Sequence, residues 1–344
     1  MQTELIKPGK LLSASGRLAK IGWSRQPLLD CNLENLALSP WKPIQRLRVK
    51  RWDYYAVFTP RRFLAFGIAD LGYSGNVFAY TLDYVTKSFH EESLLVLPGN
   101  SIRLPRNSQE GNAVFQRQSV RLDFQTEAEG RRLAVSWPDF QGGVGLQAEI
   151  FLASPPDLES MNLIVPMHRR RFYFNRKINC MPAEGFLRYG EVYEELVPHI
   201  CSGSLDWGRG VWPYRTFWNW ASASGFLPDG RTFGLNLGAG FGDTSIATEN
   251  CLILEGRLHK LEHVTFQYDS KNYNQPWKFT DSQGRLSLEF KPFKERIARS
   301  NLLVVFSEVH QMFGYFSGTV TCEDGEIIQL VDLVGFAEEH RARW

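Results

Sequence analysis

A glutamate and a histidine lie two residues apart in a segment that otherwise has the pattern of a buried strand. Residues 302–312 begin with a continuous apolar run, and in a strand Glu308 and His310 share one face with Phe306 and Met312. A carboxylate and an imidazole on an apolar face can control each other's protonation. The pattern predicts a general acid–base pair. A structural ion pair, or a strand end emerging into water, would give the same pattern.

A second concentration of reactive and aromatic side chains lies in residues 205–220, which hold four of the ten tryptophans. If the second half of this segment is a strand, Trp218 and Trp220 share one face, and Arg215 and Asn219 share the other. The face with arginine and asparagine either lines a polar pocket inside a barrel or points at solvent, with the tryptophans forming core.

The next predicted strand supports the pocket. In residues 232–243, Gly234, Asn236 and Gly238 share one face, and glycine within a strand often marks the close approach of a backbone or a ligand. A hairpin would bring Asn236 beside Asn219. The candidate ligand-binding residues are therefore Trp207, Arg215, Trp218, Asn219, Trp220 and Asn236, with Asp206 as an alternative proton donor to Glu308 and His310.

Charge and composition exclude several classes of partner. The chain has 344 residues, with 39 Lys and Arg against 37 Asp and Glu, and this balance predicts no nucleic-acid partner. The basic and aromatic stretch 167–177 is more typical of a solvated edge strand than of a nucleic-acid surface. We expect neither a signal peptide nor an integral membrane segment, because no apolar run is long enough. Five scattered cysteines suggest reduced thiols and a cytoplasmic location.

The histidines and glycines do not predict a metal or cofactor site. The spacing of His259 and His263 resembles an inverted zincin motif, but the surrounding sequence predicts a strand. Residues four apart in a strand lie about 13 Å from each other and cannot share one ion. The glycines of residues 238–242 lack the spacing and the following helix of a phosphate-binding loop. We therefore expect no metal and no cofactor.

The elements that position these residues are short alternating runs, which recur from residue 47 onward between turn signals. The pattern predicts an all-β fold of two consecutive antiparallel barrels or curved sheets. Residues 1–45 are irregular and form a strap, and the proline-containing stretch 153–157 separates a first barrel domain, 46–157, from a second, 158–344. The tail, 336–344, has the composition of a short helix.

Several motifs resemble a known bacterial family. They are Asp206-Trp-Gly-Arg209, Trp218-Asn-Trp-Ala-Ser-Ala-Ser-Gly225, Gly234-Leu-Asn-Leu-Gly238, Thr248-Glu-Asn250, His310-Gln-Met-Phe-Gly314 and the ending Gly335 to Trp344. Together they resemble the domain of unknown function 2804, over nearly the whole chain. The two-part β layout is more distantly similar to tandem lipocalin-like, or calycin, proteins such as carotenoid hydratases and tocopherol cyclase. This resemblance implies a hydrophobic or lipid-like ligand. It does not identify any catalytic residue.

Two classes of function follow from these observations. The first is a cofactor-independent hydratase, isomerase or cyclase on a lipid-like or isoprenoid-like substrate. In this class Glu308 with His310, or Asp206, donates the proton, and Arg215 and Asn219 orient a polar group. Trp218 or Trp220 would shield or stabilise developing positive charge. The second is a carrier of lipids or other hydrophobic small molecules without chemistry. The sequence leaves both classes, and the oligomeric state, open.

Overall fold

The computed structural model describes residues 2–98, 102–168, 170–302 and 305–343, and nearly all of its regular structure is β-strand. The N-terminal segment contains strands β1 (Gly9–Lys10), β2 (Gly22–Ser24) and β3 (Leu29–Asp30), a 3-10 turn (Leu33–Asn35) and helix α1 (Lys42–Arg48). No helix in these ranges is long and apolar enough to cross a membrane.

The larger sheet has 13 strands and takes up the chain as far as Val211. Besides β2, it contains β4 (Val49–Phe58), β5 (Arg62–Asp70), β6 (Gly75–Asp83), β7 (Phe89–Val96), β8 (Ala113–Arg117), β9 (Val120–Glu127), β10 (Gly130–Trp137), β11 (Leu146–Ala153), β12 (Met161–His168), β13 (Arg171–Tyr189), β14 (Val192–Leu196) and β15 (Ser202–Val211). Its main path runs in the order β7-β6-β5-β4-β15-β13-β11-β10-β9-β8.

The second sheet has nine strands in the order β19-β18-β17-β16-β24-β23-β22-β21-β20. These are β16 (Arg215–Phe226), β17 (Thr232–Ala239), β18 (Cys251–Leu254), β19 (Arg257–Lys260), β20 (Val264–Gln267), β21 (Trp277–Asp281), β22 (Leu286–Leu302), β23 (Val305–Thr321) and β24 (Ile327–Arg343). The pairings within both sheets are antiparallel. The prediction of an all-β fold with two consecutive curved sheets is confirmed.

The predicted C-terminal helix is wrong. Residues Ile327–Arg343 form one long strand, which pairs with β16 on one side and β23 on the other. The tail has good helix formers, but a central place in the sheet satisfies its backbone hydrogen bonds on both edges, and this tertiary context overrides local propensity. Trp344 lies outside the described residues.

The chain changes sheet between Val211 and Arg215. The predicted domain boundary at residue 157 therefore falls inside the larger sheet, where β13 joins β11 and β12. The N-terminal segment packs on this same sheet, with Leu11, Leu29 and Leu36 in its core.

Each sheet encloses its own hydrophobic core. Tyr55, Val57 and Leu205 belong to the core of the larger sheet, and Phe279, Phe290 and Phe316 belong to that of the second. The opposite faces of the same strands meet in mixed clusters, where Phe63 and Tyr80 of the larger sheet pack against Phe313 of the second. The second half of β4, residues 54–58, is thus buried on both faces, which explains why this stretch is continuously apolar rather than alternating.

Candidate functional site

A cavity of about 490 Å³ lies between the two sheets. One wall comes mainly from the larger sheet and the other from β16, β22, β23 and β24. Its aromatic lining consists of Trp52, Tyr54, Phe78, Tyr80, Tyr173, Trp212, Trp218, Trp220 and Phe241. The cavity therefore does not lie inside a barrel, which was one of the two places that the sequence pattern allowed for the face of Arg215 and Asn219. It lies between the sheets because the interior of each is filled with core side chains.

A buried ion pair lies at the centre of the larger sheet's wall. Lys177 of β13 and Asp206 of β15 are directly opposite each other, and Lys177 Nζ is 2.8 Å from Asp206 Oδ2. Nζ also lies 3.8 Å from the centroid of the Trp220 ring. Among the described residues, no group donates a hydrogen bond to Asp206 Oδ1, which is buried. A buried acceptor without a donor in a cavity wall is available to a ligand.

Glu338 of β24 faces this pair from the other sheet, and its side chain is almost fully buried. Burial raises the pKa of Glu338 to about 7, although Arg296, Lys177 and a hydrogen bond from Trp218 oppose the rise. Gln311 Nε2 donates to Glu338 Oε2 over 3.2 Å. The cavity therefore holds one carboxyl group that is half protonated near neutral pH.

The orientation of Gln311 is fixed by a chain of hydrogen bonds that crosses between the sheets. Tyr80 donates to Gln311 Oε1 over 3.0 Å, and the hydroxyls of Tyr80 and Tyr54 are 2.8 Å apart. Since Oε1 is occupied, the amide nitrogen of Gln311 points at Glu338. Arg296 also crosses the gap, and its guanidinium binds both carboxylate oxygens of Glu91, at 2.6 and 2.9 Å.

A third carboxylate, Glu249, lies near Lys177. Burial raises the pKa of Glu249, the charge of Lys177 opposes this rise, and Asp206 adds to it. Asn175 donates to Glu249 Oε2 over 2.5 Å. Gly238 of β17 leaves room for this carboxylate, because a Cβ atom there would overlap its oxygen. The strand glycine thus allows the close approach of a functional group, as its position suggested.

A neutral histidine completes the wall formed by the second sheet. His340 lies against Trp218, with ring centroids 3.9 Å apart, and its Nε2 is 2.8 Å from Ser307 Oγ. Burial and the charge of Arg296 lower the pKa of His340 to about 3. The imidazole is therefore uncharged at neutral pH and can serve as a hydrogen-bonding group but not as a cation.

The structure separates the candidate ligand-binding residues. Asp206, Trp218, Asn219 and Trp220 line the cavity, whereas Arg215 is exposed at the start of β16. Trp207 is buried in the core of the larger sheet, where its ring packs edge-on against Phe174 at 5.2 Å. Asp206 lines the cavity and Trp207 does not, because Trp207 faces the core on the other side of β15.

Asn236 positions a lining residue. Trp220 Nε1 donates to Asn236 Oδ1 over 2.8 Å, and Asn236 Nδ2 donates to the carbonyl oxygen of Glu249 over 2.9 Å. The substitution N236L leaves both partners without this contact, and we expect it to cost about 1–3 kcal/mol of stability. Chemical denaturation checks this cost. A cost near zero would mean that the Asn236 bonds do not hold Trp220.

Glu308 and His310 line a different, shallower groove with Tyr273 and Glu295, on the face of β23 opposite the cavity. His310 Nδ1 is 2.8 Å from Glu295 Oε1, and His310 Nε2 is 3.4 Å from Glu308 Oε1. Ser307, Val309 and Gln311, the alternate residues, line the cavity instead. Any chemistry of this pair would take place in the groove, and its role as an acid–base pair stays a prediction.

Sequence reasoning missed most ionisable residues of the cavity, among them Lys177, Glu249 and Glu338. Glu338 lay in the segment predicted to be helical, and Lys177 lay in the stretch, 167–177, that was interpreted as a solvated edge strand. That interpretation is wrong for β13, which is a central strand and pairs with both β12 and β15. Glu249 carried one signal, its place in the family motif Thr248-Glu-Asn250.

One group among the described residues has the donor atoms for a metal ion. The ligand atoms of His259, Cys322 and Asp324 lie within 4.8 Å of one another. However, His259 Nδ1 accepts a hydrogen bond from the backbone nitrogen of Glu323 at 3.1 Å, and burial raises the pKa of Cys322 to about 11. An ion bound through these atoms would have to displace the hydrogen bond at Nδ1 and deprotonate the thiol. All five cysteines, each within the described ranges, are free and buried.

Comparison with known proteins identifies one family and several similar solved structures. A family model described as "Domain of unknown function (DUF2804)" matches residues 2–344. An AttH-type protein of Nitrosomonas europaea has a similar structure, with a TM-score of 0.48 and 11% identity over 85% of this chain and 92% of its own. Kievitone hydratase of Nectria haematococca gives a TM-score of 0.46 and 11% identity over 86% of this chain and 88% of its own. No curated protein sequence matches this chain.

Proposed function

Since this chain belongs to the DUF2804 family, whose description assigns no reaction, we propose a function from the cavity itself. We propose that the protein is a cofactor-independent enzyme that adds a proton to an unsaturated, largely apolar small molecule held between the two sheets. The reaction class is hydration, isomerisation or cyclisation. The observation that carries the proposal is the pair of carboxyl groups, Glu338 and Asp206, whose surroundings differ in charge.

Glu338 is the proposed proton donor. A general acid works best when its pKa lies near the operating pH, and the pKa of Glu338 is about 7. Gln311 donates to Oε2 of Glu338, so the other oxygen, Oε1, is the one proposed to carry the proton of the neutral acid. This replaces Glu308 as the acid of the main cavity, because Glu308 lies on the opposite face of β23.

Asp206 is the proposed base. Its Oδ2 is held by Lys177, so the carboxylate keeps a fixed orientation, and its Oδ1 has no donor among the described side chains and backbone groups. Two carboxyl groups in one cavity, one near a cation and the other desolvated, are the arrangement that separates the roles of base and acid.

The substrate class follows from the lining. Nine aromatic side chains surround about 490 Å³, a volume suited to a lipid-like or isoprenoid-like fragment. Protonation of a carbon–carbon double bond creates positive charge, and the faces of Trp218 and Trp220 can stabilise that charge. The neutral His340 and Ser307 offer hydrogen bonds to a polar end of the substrate.

A hydration illustrates the balance of the proposed chemistry. Glu338 gives its proton to one alkene carbon, and a water oxygen bonds to the neighbouring carbon. That water passes a proton to Asp206, and exchange with solvent then removes the proton from Asp206 and returns one to Glu338. The sum is addition of one water with no redox change. In an isomerisation, Asp206 removes a proton from the substrate carbon instead.

The test compares E338Q with E308Q, the same substitution on a neighbouring strand but outside the cavity. Each protein is incubated with a neutral-lipid extract in ordinary water, in heavy-oxygen water and in heavy water (deuterium oxide), and the products are compared by mass spectrometry. We expect species heavier by one water, or isomers that take up solvent hydrogen in heavy water, with wild type and E308Q but not with E338Q.

Binding without turnover would favour the alternative function of a carrier, for which the apolar lining alone is sufficient. In that case native mass spectrometry shows the same lipid on wild type and on E338Q. The mass of the lipid is then unchanged after incubation with any of the proteins. Loss of turnover in E308Q, with E338Q unaffected, would contradict the proposal. The reaction would then take place in the groove lined by Glu308 and His310.

A further inference from the structure

A second pocket opens on the opposite face of β4 and β15, beneath the N-terminal segment. It has a volume of about 400 Å³. Four arginines line it: Arg46, Arg51, Arg106 and Arg209. We call this second pocket, lined by these four residues, the arginine pocket. The acid on its lining is Glu34, and both of its oxygens bind Arg106 at 2.9 Å.

Two of these arginines are directly opposite each other in the sheet. Arg51 of β4 is the cross-strand partner of Arg209 of β15. Like charges in this position repel, which destabilises a strand pair unless an anion lies between them. Burial lowers the pKa of Arg51, and the charges of Arg209 and Arg46 lower it further against the opposing effect of Asp70.

The two guanidiniums differ in how well they are paired. The two terminal nitrogens of Arg209 are satisfied internally, since they donate to Asp53 Oδ1 at 2.8 Å and to the carbonyl oxygens of Trp52, Gly208 and Pro105. Arg51 has one weak contact, 3.5 Å to Asp70. Its remaining nitrogens have no partner among the described residues. Arg51 is therefore a partly buried cation, and most of its hydrogen-bond donors have no acceptor among the described residues.

The interior behind the pocket holds further positive charge. Arg131 and Arg176 are also buried there, and both donate to the carbonyl oxygen of Ser108. Neither has a carboxylate partner among the described side chains. Buried cations without counter-charges are costly, so the larger sheet carries positive charge that a bound anion would offset.

We propose that the arginine pocket binds a small molecule through an oxyanion group, a phosphate or a carboxylate. Arg51 binds the anion directly, because a planar guanidinium matches two oxygens of such a group. Arg46, which is exposed on helix α1, closes over it from the solvent side. The site is separate from the main cavity, since the two have no lining residue in common.

The test is thermal unfolding in millimolar inorganic phosphate, succinate or chloride at equal ionic strength, with wild type, R51Q, R46Q and R132Q. Arg132 is an exposed arginine of the same sheet and serves as the matched control. We expect phosphate or succinate to raise the melting temperature of wild type and R132Q. R51Q should bind at least about tenfold more weakly, as expected for the loss of a charged hydrogen bond. R46Q should show a smaller loss.

Whichever of phosphate and succinate acts at the lower concentration identifies the anionic group. Without either anion, R51Q should be at least as stable as wild type, because the repulsion from Arg209 is gone. An equal response of wild type and R51Q would overturn the proposal, since it would reflect general exclusion of salts from the surface. No response of wild type to either anion would overturn it as well. If R51Q does not fold, R46Q still decides. E338Q should respond as wild type does, whatever the main cavity catalyses.

Discussion

The substitution E338Q is expected to stabilise the protein above neutral pH while it removes the proton donor. The ordinary pKa of a glutamate is 4.5, and burial raises that of Glu338 to about 7. Between these values the folded protein binds more protons than the unfolded chain, so stability falls as pH rises. A pKa difference of about 2.5 between the folded and the unfolded state corresponds to about 3 kcal/mol in the free energy of unfolding. Glutamine keeps the shape without the charge.

Urea denaturation of wild type and E338Q at several pH values measures this effect. The variant should exceed wild type by about 1–3 kcal/mol at pH 8, where Glu338 would be ionised, and the gain should disappear at about pH 4.5. E308Q is the control, because the carboxylate of Glu308 is only half-buried, in the groove that it lines with His310, and contacts solvent. A gain that is independent of pH would show that Glu338 is not held in its neutral form.

The substitution K177M is expected to have the largest destabilising effect at the site. It removes the cation next to Asp206 and takes away a charge that favours ionisation of Glu249 and Glu338. Removal of one partner from a buried ion pair typically costs about 3–5 kcal/mol, because the other charge stays buried without compensation. The loss should be smaller at pH 5 than at pH 8, as the remaining carboxyl groups take up protons.

The double variant K177M/D206N provides the control for this prediction. It removes both charges of the pair and should recover much of the stability lost in K177M, which gives a coupling free energy from a double-mutant cycle. If the double variant is less stable than K177M, the ion pair does not account for the effect of Lys177. In that case its packing against the Trp220 ring, at 3.8 Å, is the alternative cause.

The sequence pattern was sufficient for the fold class but not for the site. Alternating runs and turn signals predict antiparallel strands, and tryptophans 218 and 220 line the cavity on a strand at the predicted place. The position of the cavity could not be read in this way. Local periodicity identifies two faces of a strand but does not say that both faces are buried, one in a core and one against a second sheet.

The acid illustrates the same limit. Residues 336–343 contain Ala, Glu and Arg, all strong helix formers, and only the pairing of β24 with β16 and β23 makes this segment a strand. Once it is a strand, Phe336, Glu338 and His340 share a face. Glu308 and His310 were attractive in sequence because they are close in the chain. Glu338 and Asp206 come from different sheets, and no spacing connects them.

The separation of the cavity from both hydrophobic cores has a consequence for how this protein can diversify. Trp52, Phe78 and Trp218 line the cavity while remaining only partly buried, and none of them belongs to the core of either sheet. Substitutions at such positions change the shape offered to a ligand without leaving a hole in the packing that keeps each sheet folded. Selection can therefore act on specificity and on stability through different sets of residues. One scaffold could serve many ligands within a family whose members share the same pair of sheets.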